Sequence, residues 1–378
     1  MKKVLVFVLA LIFVMAAAVG CGPQKSADTG NDEILIGVSI WSSTDPLGSQ
    51  CKQIIDAAAD ALGVKTMYVD QSHISEQVTA SAETLAAAGC DGIIICNAAD
   101  SEMTSVINTC NENEVYLAQF FRIISKDNNP DIYAAAESSK YYVGCVHEGE
   151  QENGYKLGKI LLEEKGCRKI GMISWAVGDA TALARIGGYK SAVDEWNDAH
   201  PDDQAVLLDT IDDVKDSAAG RSAAEALMSA NPDLDAIVVA GGGGDPLGGA
   251  IAAIESAGKT GQIHVASTDF TPTLGEQLDS GAISAMSGGH YADPLFAFMM
   301  VYNAIKGNYQ TSTDGFYEVI FPYCFVASGE DYNNYAKYFV DELPYNKQEL
   351  IDMAGETIDE LKATAAKLSI EDVASRHQ

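Results

Sequence analysis

The run Val239-Ala240-Gly241-Gly242-Gly243-Gly244-Asp245-Pro246-Leu247-Gly248-Gly249 joins an apolar stretch with strand character to an alanine-rich stretch with helix character. Glycines so placed suit phosphate binding, because backbone N–H groups can approach the oxygens closely only where side chains are absent. The partner residues of that chemistry are missing. Gly258-Lys259-Thr260 resembles the end of a Walker loop, but the glycine due at position 253 is alanine. A dinucleotide fingerprint begun at Gly242 requires glycine at 247, where leucine stands. What remains is a strand-to-helix turn whose small residues leave space for a ligand or for a facing domain.

Other reactive constellations are as thin. There is no G-x-S-x-G elbow and no H-E-x-x-H pair, and the six histidines are dispersed. The acid pairs Glu163-Glu164 and Asp212-Asp213 stand in polar surroundings and read as solvated. Seven cysteines follow Cys21: Cys51, Cys90, Cys96, Cys110, Cys145, Cys167 and Cys324. They include no C-x-x-C pair and no metal-ligand spacing, so they read as small buried hydrophobes. No metal, cofactor or catalytic group is implied. The formal charge of -30 would repel a polyphosphate and argues against nucleic-acid binding.

The elements around these residues alternate. Ile34–Ile40, Lys65–Asp70, Asp91–Cys96 and Val115–Gln119 have the length and apolarity of buried strands, and so do Lys169–Ser174, Ala205–Asp209, Leu234–Val239 and Ile263–Ser267. Between them run helical stripes: Cys51, Ile54, Ile55, Ala58 and Leu62 before Gly63, then Ile74, Val78, Ala82 and Leu85 before Gly89. Two successive β-α series predict an α/β protein of two doubly wound parallel-sheet lobes, with a ligand at the carboxyl ends of the strands. Phe316–Val326 is expected to be a returning strand. The tyrosine-rich segment after it and the amphipathic stretch 357–368 are expected to pack on the second lobe or to be partly mobile.

The amino terminus has Met1-Lys2-Lys3, an apolar core, small residues and then Cys21, the order of an export signal. Ala18-Val19-Gly20-Cys21 resembles a bacterial lipobox, which implies a signal at 1–20, lipid on Cys21 and a linker at 21–32. The expected location is therefore extracytoplasmic, anchored to the cell membrane by lipid.

Six fragments in order, "IGVSIWSSTDPLG", "AAAGCDGIIICNAADSE", "FFR", "ARIGGYKSAV", "ANPDLDAIVVAGG" and "VASTDFTP", resemble the type I periplasmic sugar-binding proteins of the ribose- and galactose-binding group. The resemblance implies two Rossmann-like lobes joined by a three-strand hinge, 33–147 plus 291–321 and 148–290 plus 322–345, with 346–378 as a helical extension. It assigns Arg122 and Arg185 as guanidinium forks on sugar oxygens and Asp269 as a buried acceptor. An N-cap for the segment from Thr271 is a second reading of Asp269. Trp41 would stack on the sugar ring, with a core tryptophan as the competing reading, and Asp45 would be a polar contact. Phe121 stands where the family has an aspartate beside the arginine. Gly242-Gly243 stands where the family commonly has Asn-Asp. His147, Glu148 and Glu150 replace an Asp-Asn neighbourhood of the family, and His290 falls at a late polar contact. These departures predict a ligand larger than ribose, or differently substituted.

The function so implied is capture of a sugar or polyol and delivery to an ABC permease, by a monomer that needs no cofactor and catalyses nothing. A receptor presenting its ligand to a membrane kinase or chemoreceptor is the alternative. A hydrolase on the same scaffold would be told apart by turnover of glycosides.

Overall fold

The computed structural model describes residues 33–175, 177–241, 244–271, 273–309 and 316–377; Cys21 with its signal, and Gly243, lie outside them. In the first lobe, strands β1 (Leu35–Ile40), β2 (Lys65–Asp70), β3 (Gly92–Ile95), β4 (Tyr116–Phe120) and β5 (Tyr142–Glu148) alternate with helices α1 (Pro46–Leu62), α2 (Ser75–Ala87), α3 (Met103–Asn113) and α4 (Pro130–Ser138). In the second, α5 (Glu150–Lys159), α6 (Ala180–Ala199), α7 (Ser217–Ala230), α8 (Asp245–Ser256) and α9 (Leu274–Ser280) alternate with β6 (Lys169–Ile173), β7 (Val206–Ile211), β8 (Ala236–Val239), β9 (His264–Thr268) and β10 (Ala285–Gly288). The chain then forms α10 (Asp293–Ile305), β11 (Tyr317–Phe321), β12 (Cys324–Val326) and helices α11 (Gly329–Phe339), α12 (Lys347–Met353), α13 (Ile358–Lys367) and α14 (Ile370–Arg376).

The sheets run β11-β5-β4-β3-β1-β2 and β12-β10-β9-β8-β6-β7. Every pairing is parallel except β10 with β12. This is the predicted doubly wound α/β architecture, and it explains the sequence pattern. Ile93, Ile94 and Ile95 of β3 are all fully buried because helices cover both faces of the sheet. Among the described residues no helix is long and apolar enough to cross a membrane.

The predicted single strand Phe316–Val326 is two strands. Pro322-Tyr323 interrupts it, so that β11 closes the first sheet and β12 the second. The C-terminal helices also depart from expectation. Helix α11 packs on the second lobe, against α9 and β12, whereas α12 packs on α1 and α13 on β11 and α10. Their starts are capped by Ser328, Asn346, Thr357 and Ser369, each accepting a backbone N–H of the first turn.

Helices α5 and α6 cross with their backbones touching. A Cβ on Gly154 would lie 1.9 Å from the Arg185 carbonyl oxygen, and one on Gly188 would lie 2.1 Å from that of Gln151. At Gly187, one residue along, nothing lies within 4 Å of that position. Gly154→Ala should therefore lower the unfolding free energy from urea titration by about 1–3 kcal/mol, as overpacking does. Gly187→Ala should be neutral or stabilising by up to about 1 kcal/mol, the helix-propensity gain. Equal effects of the two would contradict the backbone contact.

Candidate functional site

The strand order of each sheet reverses beside its first strand, which opens a crevice at the carboxyl edge. Loops from both edges enclose a cavity of about 300 Å³. Small-molecule sites span roughly 300–1,000 Å³. From the first lobe the wall includes Trp41 after β1, His73 after β2, Phe121 and Arg122 after β4, and Glu148 at the end of β5. From the second it includes Arg185 on α6, Asp269 after β9 and His290 after β10.

Trp41 is half-buried and forms part of this wall rather than of the deep core. Its ring lies parallel to His73 with centroids 5.6 Å apart, and Phe121 leans on it at 5.8 Å. Its Nε1 donates to Asp45 Oδ2 at 2.5 Å, while Asp45 Oδ1 accepts from Gly48 N at 2.9 Å and caps α1. Asp45 thus holds the tryptophan and does not line this cavity. His73 has left-handed backbone (φ 54°), tied down by Gln71, whose Oε1 accepts the His73 N–H at 2.8 Å. Burial, reinforced by the Arg122 charge, lowers the pKa of His73 and keeps it a neutral aromatic surface.

Phe121 also has left-handed backbone (φ 56°), a conformation that costs a bulky residue about 1–3 kcal/mol. Asp293, fully buried at the start of α10, accepts the Phe121 N–H at 3.2 Å and holds the turn. Arg122 then enters the cavity with Nε on the Asn97 carbonyl at 3.0 Å and Nη1 on the Phe121 carbonyl at 2.8 Å. Among the described residues it has no carboxylate partner, in keeping with phenylalanine at the preceding position. Its platform is stiff: Tyr142 donates to Gln119, and Gln119 to Asn97, all three buried.

Arg185 departs from expectation. Its fork is taken up inside the protein by Glu150, with Nε to Oε2 at 2.6 Å and Nη2 to Oε1 at 3.0 Å. Two further donors reach the Ala240 carbonyl at 3.1 Å and the Tyr323 hydroxyl at 3.2 Å, which leaves one Nη1 N–H. It lines the cavity with its fork held by Glu150, so that it stiffens the wall. His147 is not at the site. Alternation along β5 sends it away from its neighbour Glu148, and its Nε2 meets Glu318 at 2.7 Å. Asp269 is neither buried nor a helix cap: its side chain is 46 % exposed, and α9 begins at Leu274 without a side-chain cap.

Sequence reading overlooked His73, Thr181 and Tyr323, all lining the cavity. The available signal was position, since His73 lies on a loop, Tyr323 on a crossing and Thr181 in the first turn of α6, all at a sheet's carboxyl edge. The glycine turn has a use at Gly241, where a Cβ would lie 2.8 Å from the Trp175 ring, so the indole rests on bare backbone. All seven cysteines after Cys21 are buried and free.

The chain crosses between lobes at 148–150, 289–292 and 321–324, and each crossing places a buried ionisable side chain in the cavity wall: Glu148, His290 and Tyr323. Glu148 Oε1 and His290 Nδ1 have no hydrogen-bond partner among the described residues. Burial, then the negative charge of Asp293, pushes the Glu148 carboxyl well above the usual range, while burial pulls His290 down. The native state thus keeps the Glu148 proton after the unfolded chain has released it, so this group's contribution to stability is lost as pH rises above about 4.3. Glu148→Gln removes that loss, and its melting temperature should gain on wild type as pH increases, by at most about 1.4 kcal/mol per pH unit. The depressed His290 acts oppositely, costing stability as pH falls below about 6.5, and cancels in the comparison. A difference independent of pH would refute the buried protonated carboxyl.

Residues 36–308 match the family model described as periplasmic binding protein domain. Among solved structures, an ABC transporter solute-binding protein from Actinobacillus succinogenes 130z with bound D-allose is 16% identical and superposes with a TM-score of 0.65 over 80% of this chain and 100% of its own. One from Agrobacterium vitis bound with alpha-D-tagatopyranose is 17% identical, with a TM-score of 0.64 over 82% of this chain and 98% of its own. One from Bacillus halodurans C-125 with bound myo-inositol is 18% identical, with a TM-score of 0.61 over 82% and 100%. No curated protein matches the sequence. With the family model spanning most of both lobes and the two sheets carrying the matching topology, this chain belongs to the periplasmic binding protein family and has its type I fold.

Proposed function

We propose that this chain is the extracytoplasmic solute-binding component of an ABC importer, held to the membrane by lipid on Cys21, and that it captures a sugar or related polyol between its lobes. The observation that carries the reading is the cavity wall itself. Trp41 and Phe121 offer flat apolar surfaces beside Arg122, a cation without a carboxylate partner among the described residues, and Asp269 and Glu148 add oxygens from the other strand ends. Such a wall suits a ring with C–H faces and a rim of hydroxyls. The solved structures described above hold an aldohexose, a ketohexose and a cyclitol, a range consistent with this class.

A ligand touching both lobes stabilises the closed arrangement by its differential affinity for it, and the permease would read that arrangement. A bound sugar should therefore raise the melting temperature of the full-length protein, since ligand at about 100 Kd adds about 2.7 kcal/mol. A panel of aldoses, ketoses and cyclitols giving no saturable shift would reject the reading. Arg122→Ala should keep the fold and weaken binding by about one to two decades, as loss of a charged hydrogen bond of about 1.5–3 kcal/mol does. Cys21→Ser should release the protein from the membrane fraction or leave the signal uncleaved, and normal anchoring of that variant would refute the lipid.

A further inference from the structure

A second cavity, of about 520 Å³, adjoins the first and shares Leu47, Asp269 and His290 with it. Its near side is the first turn of α1, with Pro46 and Gln50. Its far side is aromatic: Phe270 after β9, and Tyr332 and Tyr335 of α11. Phe270 meets Tyr335 edge to face with centroids 4.6 Å apart, and Tyr332 at 6.3 Å. Gly288 makes room for that ring, since a Cβ there would lie 2.6 Å from Phe270. The junction between the cavities is polar. His290 is buried with Nδ1 unpartnered among the described residues, and its Nε2 faces the half-exposed Asp269 carboxylate at 3.4 Å. Phe270 lies within the matched residues 36–308, whereas Tyr332 and Tyr335 of α11 lie beyond them.

We propose that the second cavity is an outer subsite for a ring linked to the sugar, so that the physiological ligand is a disaccharide or an aryl glycoside rather than a free monosaccharide. The inference rests on the sugar-binding reading above. The two cavities together exceed the space that one pyranose ring fills. Aromatic faces stack on the C–H surface of a second sugar or on an aryl aglycone, whereas His290 and Asp269 at the junction suit the linkage oxygen and its neighbouring hydroxyls.

The test is calorimetry on the full-length protein with D-glucose, D-galactose and D-allose, their phenyl β-glycosides, cellobiose and lactose. At least one two-ring probe should bind about tenfold or more tightly than its parent monosaccharide, a difference well above experimental scatter. A gain confined to the phenyl glycosides identifies an aglycone, and a gain confined to the disaccharides identifies a second sugar; either supports the subsite. Gln50→Phe adds bulk from the half-exposed surface of α1, and Tyr332→Ala removes part of the aromatic wall. Each should erase the two-ring advantage while leaving monosaccharide affinity within about twofold. Two-ring probes binding no better than their parents, or both variants weakening both kinds of probe alike, would overturn the subsite and leave the sugar reading intact. A wild-type protein that binds none of these probes also overturns the subsite, whereas the sugar reading falls only with the full panel of aldoses, ketoses and cyclitols.

Discussion

A parallel sheet whose strand order reverses leaves its carboxyl edge without a covering helix at the reversal, and this chain sets two such edges against each other. Everything at the site follows from that constraint. Each strand end delivers a short loop to the same space, so residues far apart in sequence, Trp41, Phe121, Arg185 and Asp269 among them, line one cavity. The loops are stiffened by side chains behind them. Asp293 fixes the turn at Phe121, Gln71 the turn at His73, and Asp45 the indole of Trp41.

The three crossings concentrate ionisable groups where water is excluded. Removing a charge from water is costly unless a partner compensates, and the Arg185–Glu150 pair meets that condition with two parallel bonds and two further acceptors for the guanidinium. Glu148 and Asp293 do not, and each carboxyl keeps one oxygen without a partner among the described residues. Burial therefore favours their protonated forms, in which a carboxyl becomes a donor as well as an acceptor. Of the two, Glu148 lines the cavity, which thus keeps a hydrogen-bonding group there without the full charge.

The C-terminal helices add a packing path between the lobes. Helix α11 lies on α9 and β12, α14 lies on α11, and Arg376 and His377 at the end of α14 bond to Glu349 of α12, which packs on α1. Tyr291, in the second crossing, donates to the Phe339 carbonyl at 2.7 Å. Any rotation of one lobe on the other must therefore carry these contacts with it or break them. Helix α11 of this path also supplies Tyr332 and Tyr335 to the aromatic side of the second cavity, beside Phe270.

The alternation of strands and helices was legible because both periodicities are local: β2 has the residues expected of it, and Gly63 and Gly89 close their helices in left-handed conformation. The sequence by itself determined the α/β class, and its resemblance to sugar-binding proteins pointed to Trp41, Arg122, Glu148 and Asp269, which the structure brings to one cavity wall because residues at the ends of parallel strands lie at the carboxyl edge. It could not show that Pro322-Tyr323 divides one apolar run between two sheets, because pairing partners are set by tertiary proximity. Nor could it show that Glu150, thirty-five positions before Arg185, takes up that arginine's fork. That pairing exists because Gly154 and Gly188 let α5 and α6 touch backbone to backbone, an approach with no signature in either helix alone. His147 and Glu148 are adjacent in the chain and part company for an equally physical reason: the pleat of β5 sends one to Glu318 and the other into the cavity.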